Sequence, residues 1–310
     1  FLSGWGIALW RSCDNLISRN ALDFCIRGYS HGVYNRGQDS AGILLFEQCS
    51  RNVIAENSAT HCGDGFFGFA GQEALGGVPP PTPDFDYTRR GNNENRIWEN
   101  NFSYAAAHGL ELTFSFGNRI SANRLVGNAI CGIWGGYSRD TWIEANHFEA
   151  NGYAGYGLER GGINIEHGQR NTIRENRFVA NACGVHLWWD TDEHLATLPW
   201  TRANGHESRE ETVFLNSFER DALAVHFRNT KMLWWDSNQY TDVGQLLENE
   251  GDKVVESTSG RYFADPDKKS NEPWREPLPG QSKPRGARAL VGRDKIVVDE
   301  WGPVEPPAPK

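Results

Sequence analysis

Methionine is almost missing from this chain, one residue in 310, and no His or Cys cluster with soft-metal spacing accompanies it, which speaks against a role in soft-copper handling. Basic clusters are missing too. With a formal net charge of -9 and a sequence pI near 5.5, the chain has no surface that would track phosphates, so nucleic acid is not an expected partner. No apolar run approaches the roughly 18 residues of a membrane helix, and no charged-then-apolar leader precedes a cleavage site. No CxxC pattern points to zinc or thiol redox chemistry. What remains is a chain that is 38% hydrophobic, which is enough to build a core. It opens on Phe1 and trails off through Trp301-Gly302-Pro303-Val304-Glu305-Pro306-Pro307, which reads as an internal piece of a longer protein.

Asparagine is abundant, and its positions recur. The motif Asn-x-Ile-x-x-Asn occurs at Asn15–Asn20, Asn52–Asn57, Asn95–Asn100, Asn118–Asn123 and Asn171–Asn176, with degenerate copies ending at Asn146, Asn216 and Asn238. A Gly followed by apolar-x-apolar lies upstream of the closing Asn. The spacing is 14 residues from Gly6 to Asn20, Gly109 to Asn123, Gly132 to Asn146 and Gly162 to Asn176, and again from Ala224 to Asn238. The return step is 8 or 9, so the period is 22 to 23 residues. Such a period, built of short alternating strands between Gly and Asn turns, is the pattern of a solenoid. Leu is not fixed and helical i, i+3, i+4 spacing is absent, so each coil is made of strands alone. An Asn recurring at one coil position can bond the backbone of the next coil and tolerate a left-handed bend, forming a ladder. The expected fold is all-β: a single-stranded parallel β-helix of about eight to nine coils over residues 1–250.

These repeats resemble those of right-handed parallel β-helix proteins, a group that includes pectin and alginate lyases, several glycoside hydrolases, mannuronan epimerases and NosD-type periplasmic proteins. The resemblance implies the fold and a secreted or periplasmic location. It implies no one reaction, because the repeated motif stacks coils and is not catalytic. No Asp-Pro-His, Arg-x-Pro-x-x-Arg or paired Asp-Asp with Gly-His-Gly signature is present, so no subfamily mechanism carries over.

Excess spacing locates four insertions, near residues 27–39, 70–92, 152–161 and 189–210. All border the Gly-led strand, two entering and two leaving, and would wall a groove on its outer face. Side chains alternate along a strand, so the second and fourth residues after each Gly should point outward. The second-position column is Ala8, Leu44, Phe67, Glu111, Trp134, Asn164, His186 and His226; the fourth is Trp10, Phe46, Phe69, Thr113, Gly136, Glu166, Trp188 and Arg228.

The upper half of this map carries the chemistry. His186, His226 and Glu166 are the catalytic candidates, since imidazole transfers protons near neutral pH. Arg228, Trp188, Asn164, Trp134 and Glu111 are the candidates for holding substrate: sugar rings stack on indole, and Arg would neutralise a uronate and acidify its C5 hydrogen. His167, next to Glu166, should point inward or sit at a bend. Asp190 and Asp192 begin the long loop and are weak candidates for a Ca²⁺ site, a solvated acidic loop being the competing reading. His61, Asp64 and Glu73 could form the other end of the groove.

Cys13/Cys49 and Cys25/Cys62 fall on consecutive coils, as disulfides or as stacked thiols, while Cys131 and Cys183 are two coils apart. Residues 251–290 read as a Pro-punctuated linker, and 291–310, with a strand over Lys295–Trp301, as the start of a further domain. The function expected is an extracellular carbohydrate-active enzyme, a lyase, epimerase or glycoside hydrolase acting on a polysaccharide. The alternative is a non-catalytic β-helix that binds glycan or scaffolds a larger secreted protein. The net charge disfavours a polyanion unless Ca²⁺ or a basic patch compensates, whereas a neutral glycan cut by a carboxylate pair avoids that difficulty.

Overall fold

Each coil runs through up to three short strands, and the strands of successive coils pair in parallel register. In the computed structural model, which describes residues 2–28, 40–71, 75–79, 82–84, 91–155, 157–251, 284, 286 and 290–305, they assemble into sheets of nine, eight and five strands. The nine-stranded sheet consists of Trp5–Trp10, Ala41–Phe46, Asp64–Phe69, His108–Thr113, Cys131–Gly136, Gly161–Glu166, Val185–Trp188, Leu223–Arg228 and Gln245–Glu250. The chain is a parallel β-helix. The ninth coil extends the eight counted from Gly: the step of 8 after Asn238 lands on Leu246, which stands where earlier coils have Gly or Ala.

The two Asn of the motif build two separate ladders. Along one, Asn100, Asn123, Asn146, Asn176 and Asn216 follow one another; each Oδ1 accepts from the backbone N–H and the Nδ2 of the Asn one coil below, at 2.9–3.1 Å. Each Nδ2 also donates to the apolar residue's carbonyl in the coil beneath, as Asn146 does to Ile120 at 2.9 Å. Every polar atom of a buried amide is thereby used. A third ladder, Asn128, Asn151, Asn181, ends on Asp221. The Asn15 ladder runs through Asn52 and Asn95 to Asn118; from Thr141 a further run through Asn171 ends on Glu211.

Between the ladders the interior is filled in columns. The motif Ile gives Ile17, Ile54, Ile97, Ile120, Ile143 and Ile173, all buried. Phe148, Phe178, Phe218 and Tyr240 stack at centroid distances of 4.7–5.3 Å within 10° of parallel. Glycine at the start of the strand is required by close approach: a Cβ on Gly132 would lie 2.6 Å from the Gly162 carbonyl oxygen and 2.7 Å from the Phe148 ring.

All six cysteines are free thiols. The Cys25 and Cys62 sulfhydryls both donate to the Leu22 carbonyl, and burial pushes the Cys62 thiol well up. The strand expected over Lys295–Trp301 is instead a short 3-10 turn, Arg293–Lys295, and an isolated antiparallel bridge between Val298 and Pro303. Asp299 folds it back by accepting from the Trp301 and Gly302 N–H groups, and Gly302 lies against Ser3 and Gly28 of the first coil. Most of the 251–290 linker, the 29–39 part of the first insertion and Glu73 lie outside the described residues. No helix among the described residues is long and apolar enough to cross a membrane.

Candidate functional site

The nine-stranded sheet aligns the two outward columns as the period requires. Residue partners run Ala8, Leu44, Phe67, Glu111, Trp134, Asn164, His186, His226 in one. In the other, Trp10 pairs with Phe46 and Phe46 with Phe69; Thr113, Gly136, Glu166, Trp188 and Arg228 follow one another. The ninth coil adds Glu248 beside His226 and Glu250 beside Arg228.

A third outward column was not legible from alternation. The fifth residue after Gly should point inward, yet Arg11, Glu47, Phe114, Tyr137, His167 and Asn229 adopt left-handed φ of 45–57°. This reversal turns the side chain onto the outer face. A signal was available: Arg, Glu, Tyr, His and Asn do not fit a column inside an apolar core.

In the lower coils the face is aromatic. Phe46 stacks on Phe69 at 5.4 Å and meets Trp10 edge-on at 6.3 Å, and Trp10 is 69% exposed. Trp5, Arg27, Leu44, Phe46, Phe67 and Phe69 line a cleft of about 360 Å³. His61, expected near a groove end, is instead stacked between Phe24 and Tyr104 in a buried aromatic column.

In the upper coils the face is polar, and much of it is covered. Asn164 is the hub: its Nδ2 donates to the Leu158 carbonyl at 2.7 Å and to His186 Nδ1 at 3.0 Å, and its Oδ1 accepts from Trp188 Nε1 at 3.0 Å. The His186 ring stacks on His226 at 4.2 Å and on Trp188 at 5.8 Å. The 152–161 insertion brings Leu158 over this stack, so His186 is 0% and His226 2% exposed. The expected open His pair is therefore a sealed polar ladder. Burial drives both imidazoles toward the neutral form.

Glu166 is only partly covered. Burial, then the charges of Glu159, Asp192 and Asp190, push its carboxyl up to about 7. His167 Nδ1 donates to the His206 carbonyl, which leaves Nε2 as the lone-pair nitrogen, 3.6 Å from Glu166 Oε1. Tyr137 stacks on His167 at 4.9 Å, and burial raises its phenol pKa. Beside Glu166 in the sheet lies Gly136, and over Gly136 lies the half-buried Trp134 indole; a Cβ there would come within 2.2 Å of the ring. An aromatic plane thus lies next to the carboxyl.

The 189–210 insertion walls the far margin. Its helices α1 (Glu193–Thr197) and α2 (Pro199–Asn204) carry Leu195, Leu198 and the fully buried Trp200 onto Ala70, Phe114 and Phe116, a second small core outside the coils. Asp192 is the N-cap of α1, its Oδ1 accepting from the Leu195 N–H at 2.9 Å. Asp190 is paired with Arg228, Nη2 to Oδ2 at 3.0 Å. Both candidate Ca²⁺ ligands thus have protein partners. Arg228 also binds Glu250 at 3.0 Å, so its charge is matched by two carboxylates and none is left over for a uronate.

Two other clusters bring metal-compatible donors within 4.8 Å of one another: Asp64 with His108 and Glu111, and His226 with Glu248 and Glu250. Glu111, expected to hold substrate, faces His108 at 4.0 Å two coils below Glu166, roughly 10 Å away at the usual strand spacing.

Comparison with known proteins agrees with this architecture. The alginate lyase from Paenibacillus sp. str. FPU-7 is similar at 15% identity with a TM-score of 0.51, over 69% of this chain and 68% of that one. PfbA, a surface adhesin of Streptococcus pneumoniae, aligns at 9% identity over 76% of this chain and 72% of its own, with a TM-score of 0.36. DFA-IIIase from Arthrobacter chlorophenolicus A6, without its lid, aligns at 11% over 83% and 88%, with a TM-score of 0.30. At such identities the likeness is one of fold, and only the first reaches a score that supports it. No curated protein matches the chain. Residues 87–246, just over half of the 310, match the family model NosD, described as periplasmic copper-binding protein. With its coils, ladders and parallel sheets, the chain belongs to the NosD family.

Proposed function

We propose that this β-helix is a carbohydrate-active protein of the periplasm or cell exterior that hydrolyses a glycosidic bond in a neutral glycan, with Glu166 as the general acid. The observation that carries this reading is the Glu166 carboxyl, pushed up to about 7 by burial and by the acidic side chains Glu159, Asp192 and Asp190, in register with Gly136, over which the Trp134 indole lies. A glycosidase needs an acid that keeps its proton near neutral pH and a second carboxylate that does not. Asp192, whose Oδ1 accepts from the Leu195 N–H at the start of α1, is the carboxylate we assign to the second role. Trp134 gives a sugar ring a stacking surface. His186 is a positioning residue here: it bonds Asn164, which holds Trp188, and sealed as the pair is, neither it nor His226 touches substrate. Elimination or epimerisation of a uronate loses support because Arg228 is matched by Asp190 and Glu250.

The test is incubation with neutral and uronate polysaccharides, following reducing ends and unsaturated-product absorbance separately. Reducing ends from a neutral glycan, abolished in Glu166→Gln, are expected; unsaturated product from a uronate would refute the assignment. The aromatic cleft of the lower coils favours a second reading, a non-catalytic glycan-binding face along Trp10, Phe46 and Phe69. Binding without any product in the same panel would select it.

The family description names copper. The Cys25 and Cys62 thiols meet at the Leu22 carbonyl, but burial pushes the Cys62 thiol well up, away from the thiolate that a soft ion needs, and the single Met232 is exposed. Imidazole with carboxylates suits the oxidised ion, and His226, Glu248 and Glu250 would hold it. A bound divalent ion would supply Lewis acidity at that end of the face.

A further inference from the structure

The last two coils bring together three side chains whose donor atoms all lie within 4.8 Å of one another. His226 ends the stacked pair in the eighth coil, and Glu248 and Glu250 are its register neighbours in the ninth. Both ring nitrogens of His226 lack a hydrogen-bond partner among the described residues although the residue is almost wholly buried. Leaving an imidazole N–H and a lone pair both unused in the interior costs free energy unless something else occupies them. Its Nε2 points toward Glu250 Oε1 at 3.8 Å, and Glu248 contributes an oxygen within the same 4.8 Å.

We infer that His226, Glu248 and Glu250 form a binding site for one divalent transition cation of the Zn²⁺ or Cu²⁺ class. Donors about 2.1 Å from a common ion lie roughly 3–4 Å apart, so the two half-exposed carboxylates have only to draw in by about an ångström. Two carboxylates balance the ion's charge, and a neutral imidazole is the state that ligates. Burial holds His226 in that state. Arg228 donates to the second oxygen of Glu250, orienting that carboxylate from outside as a supporting partner does at many metal centres. With three protein donors the ion keeps open positions toward solvent. The inference is independent of the hydrolytic reading of Glu166, since it concerns binding alone.

The full chain is titrated calorimetrically with Zn²⁺ in a non-chelating buffer at pH 7, and with Cu²⁺ followed by electron paramagnetic resonance. One ion per chain is expected, with nitrogen hyperfine structure for Cu²⁺ and a thermal midpoint that rises on saturation. Glu248→Gln, at a half-buried side chain, should weaken the affinity more than tenfold, and His226→Ala should abolish it together with the nitrogen signal. The Asp64, His108 and Glu111 cluster is the internal control, through Glu111→Gln. Absence of binding up to millimolar ion, equal affinity in wild type and Glu248→Gln, or loss that follows Glu111→Gln instead would each overturn the proposal. Should His226→Ala fail to fold, Glu248→Gln still decides.

Discussion

Replacing Asn146 by Ala removes a side chain that makes four hydrogen bonds in the middle of the longest amide ladder. Its Oδ1 accepts from the Asn123 N–H at 2.9 Å and from Asn123 Nδ2 at 3.0 Å; its Nδ2 donates to the Ile120 carbonyl at 2.9 Å and to Asn176 Oδ1 at 3.0 Å. The consequences are unequal. Asn176 Oδ1 keeps the Asn146 backbone N–H, and Asn123 Nδ2 keeps the Ile97 carbonyl. The buried Asn123 N–H loses the acceptor that holds it, and Ile120 loses one donor. At about 1–3 kcal/mol for an orphaned buried group, plus a small cavity, the substitution should cost about 2–4 kcal/mol. Asn238→Ala is the comparison: that residue ends the ladder, is half-buried, and leaves groups that water can reach, so about 1 kcal/mol is expected. Equilibrium urea denaturation, with the two variants' midpoints compared at unchanged m-value, measures the difference. Equal costs, or less than about 1 kcal/mol at Asn146, would refute the claim that interior rungs hold the coils together.

Asp221 ends its ladder with a carboxyl that burial pushes up to about 6 from an ordinary 3.8; its Oδ1 accepts from Asn181 while Oδ2 has no partner among the described residues. A folded pKa above the unfolded one means stability is present below about pH 4 and is lost as pH rises through 6, a penalty of about 3 kcal/mol at pH 7. Asp221→Asn should recover it at pH 7 and give no gain at pH 4, checked by thermal melts at both. Glu159→Gln removes the first of the charges that raise Glu166, so the basic limb of the activity profile, set near pH 7 by loss of the Glu166 proton, should move to lower pH; an unchanged limb would detach Glu166 from catalysis. Trp200→Ala should cost about 3–5 kcal/mol locally, opening residues 190–207 to proteolysis while the coils persist, because its contacts lie in the small outer core.

The coils and the register of the outer face were legible because a fixed period converts sequence separation directly into spatial adjacency. What covers that face was not. The 152–161 insertion breaks the period, and nothing in its composition says that the Leu158 carbonyl comes down on Asn164 and shuts His186 away. The ninth coil escaped a search for Gly because Leu246 occupies that place, although the step from Asn238 was intact; with it went Glu248 and Glu250, and so the partners that claim Arg228 and face His226. His167 was expected inward or at a bend because alternation assumes extended backbone throughout. One left-handed residue at φ 55° puts it at the bend and carries its ring to Tyr137 and Glu166.

That recurrent left-handed corner makes the molecule's architecture and its chemistry separable. Six turns show three side chains to the outside from one uninterrupted hexapeptide, while amides and aromatic rings elsewhere in the coils keep them stacked. Exchanging the outward residues of such a hexapeptide between turns, with its inward pair left in place, would transplant a ready-made row of surface groups onto an unchanged interior. A library built by shuffling those rows would sample new specificities on a scaffold whose folding is already secured.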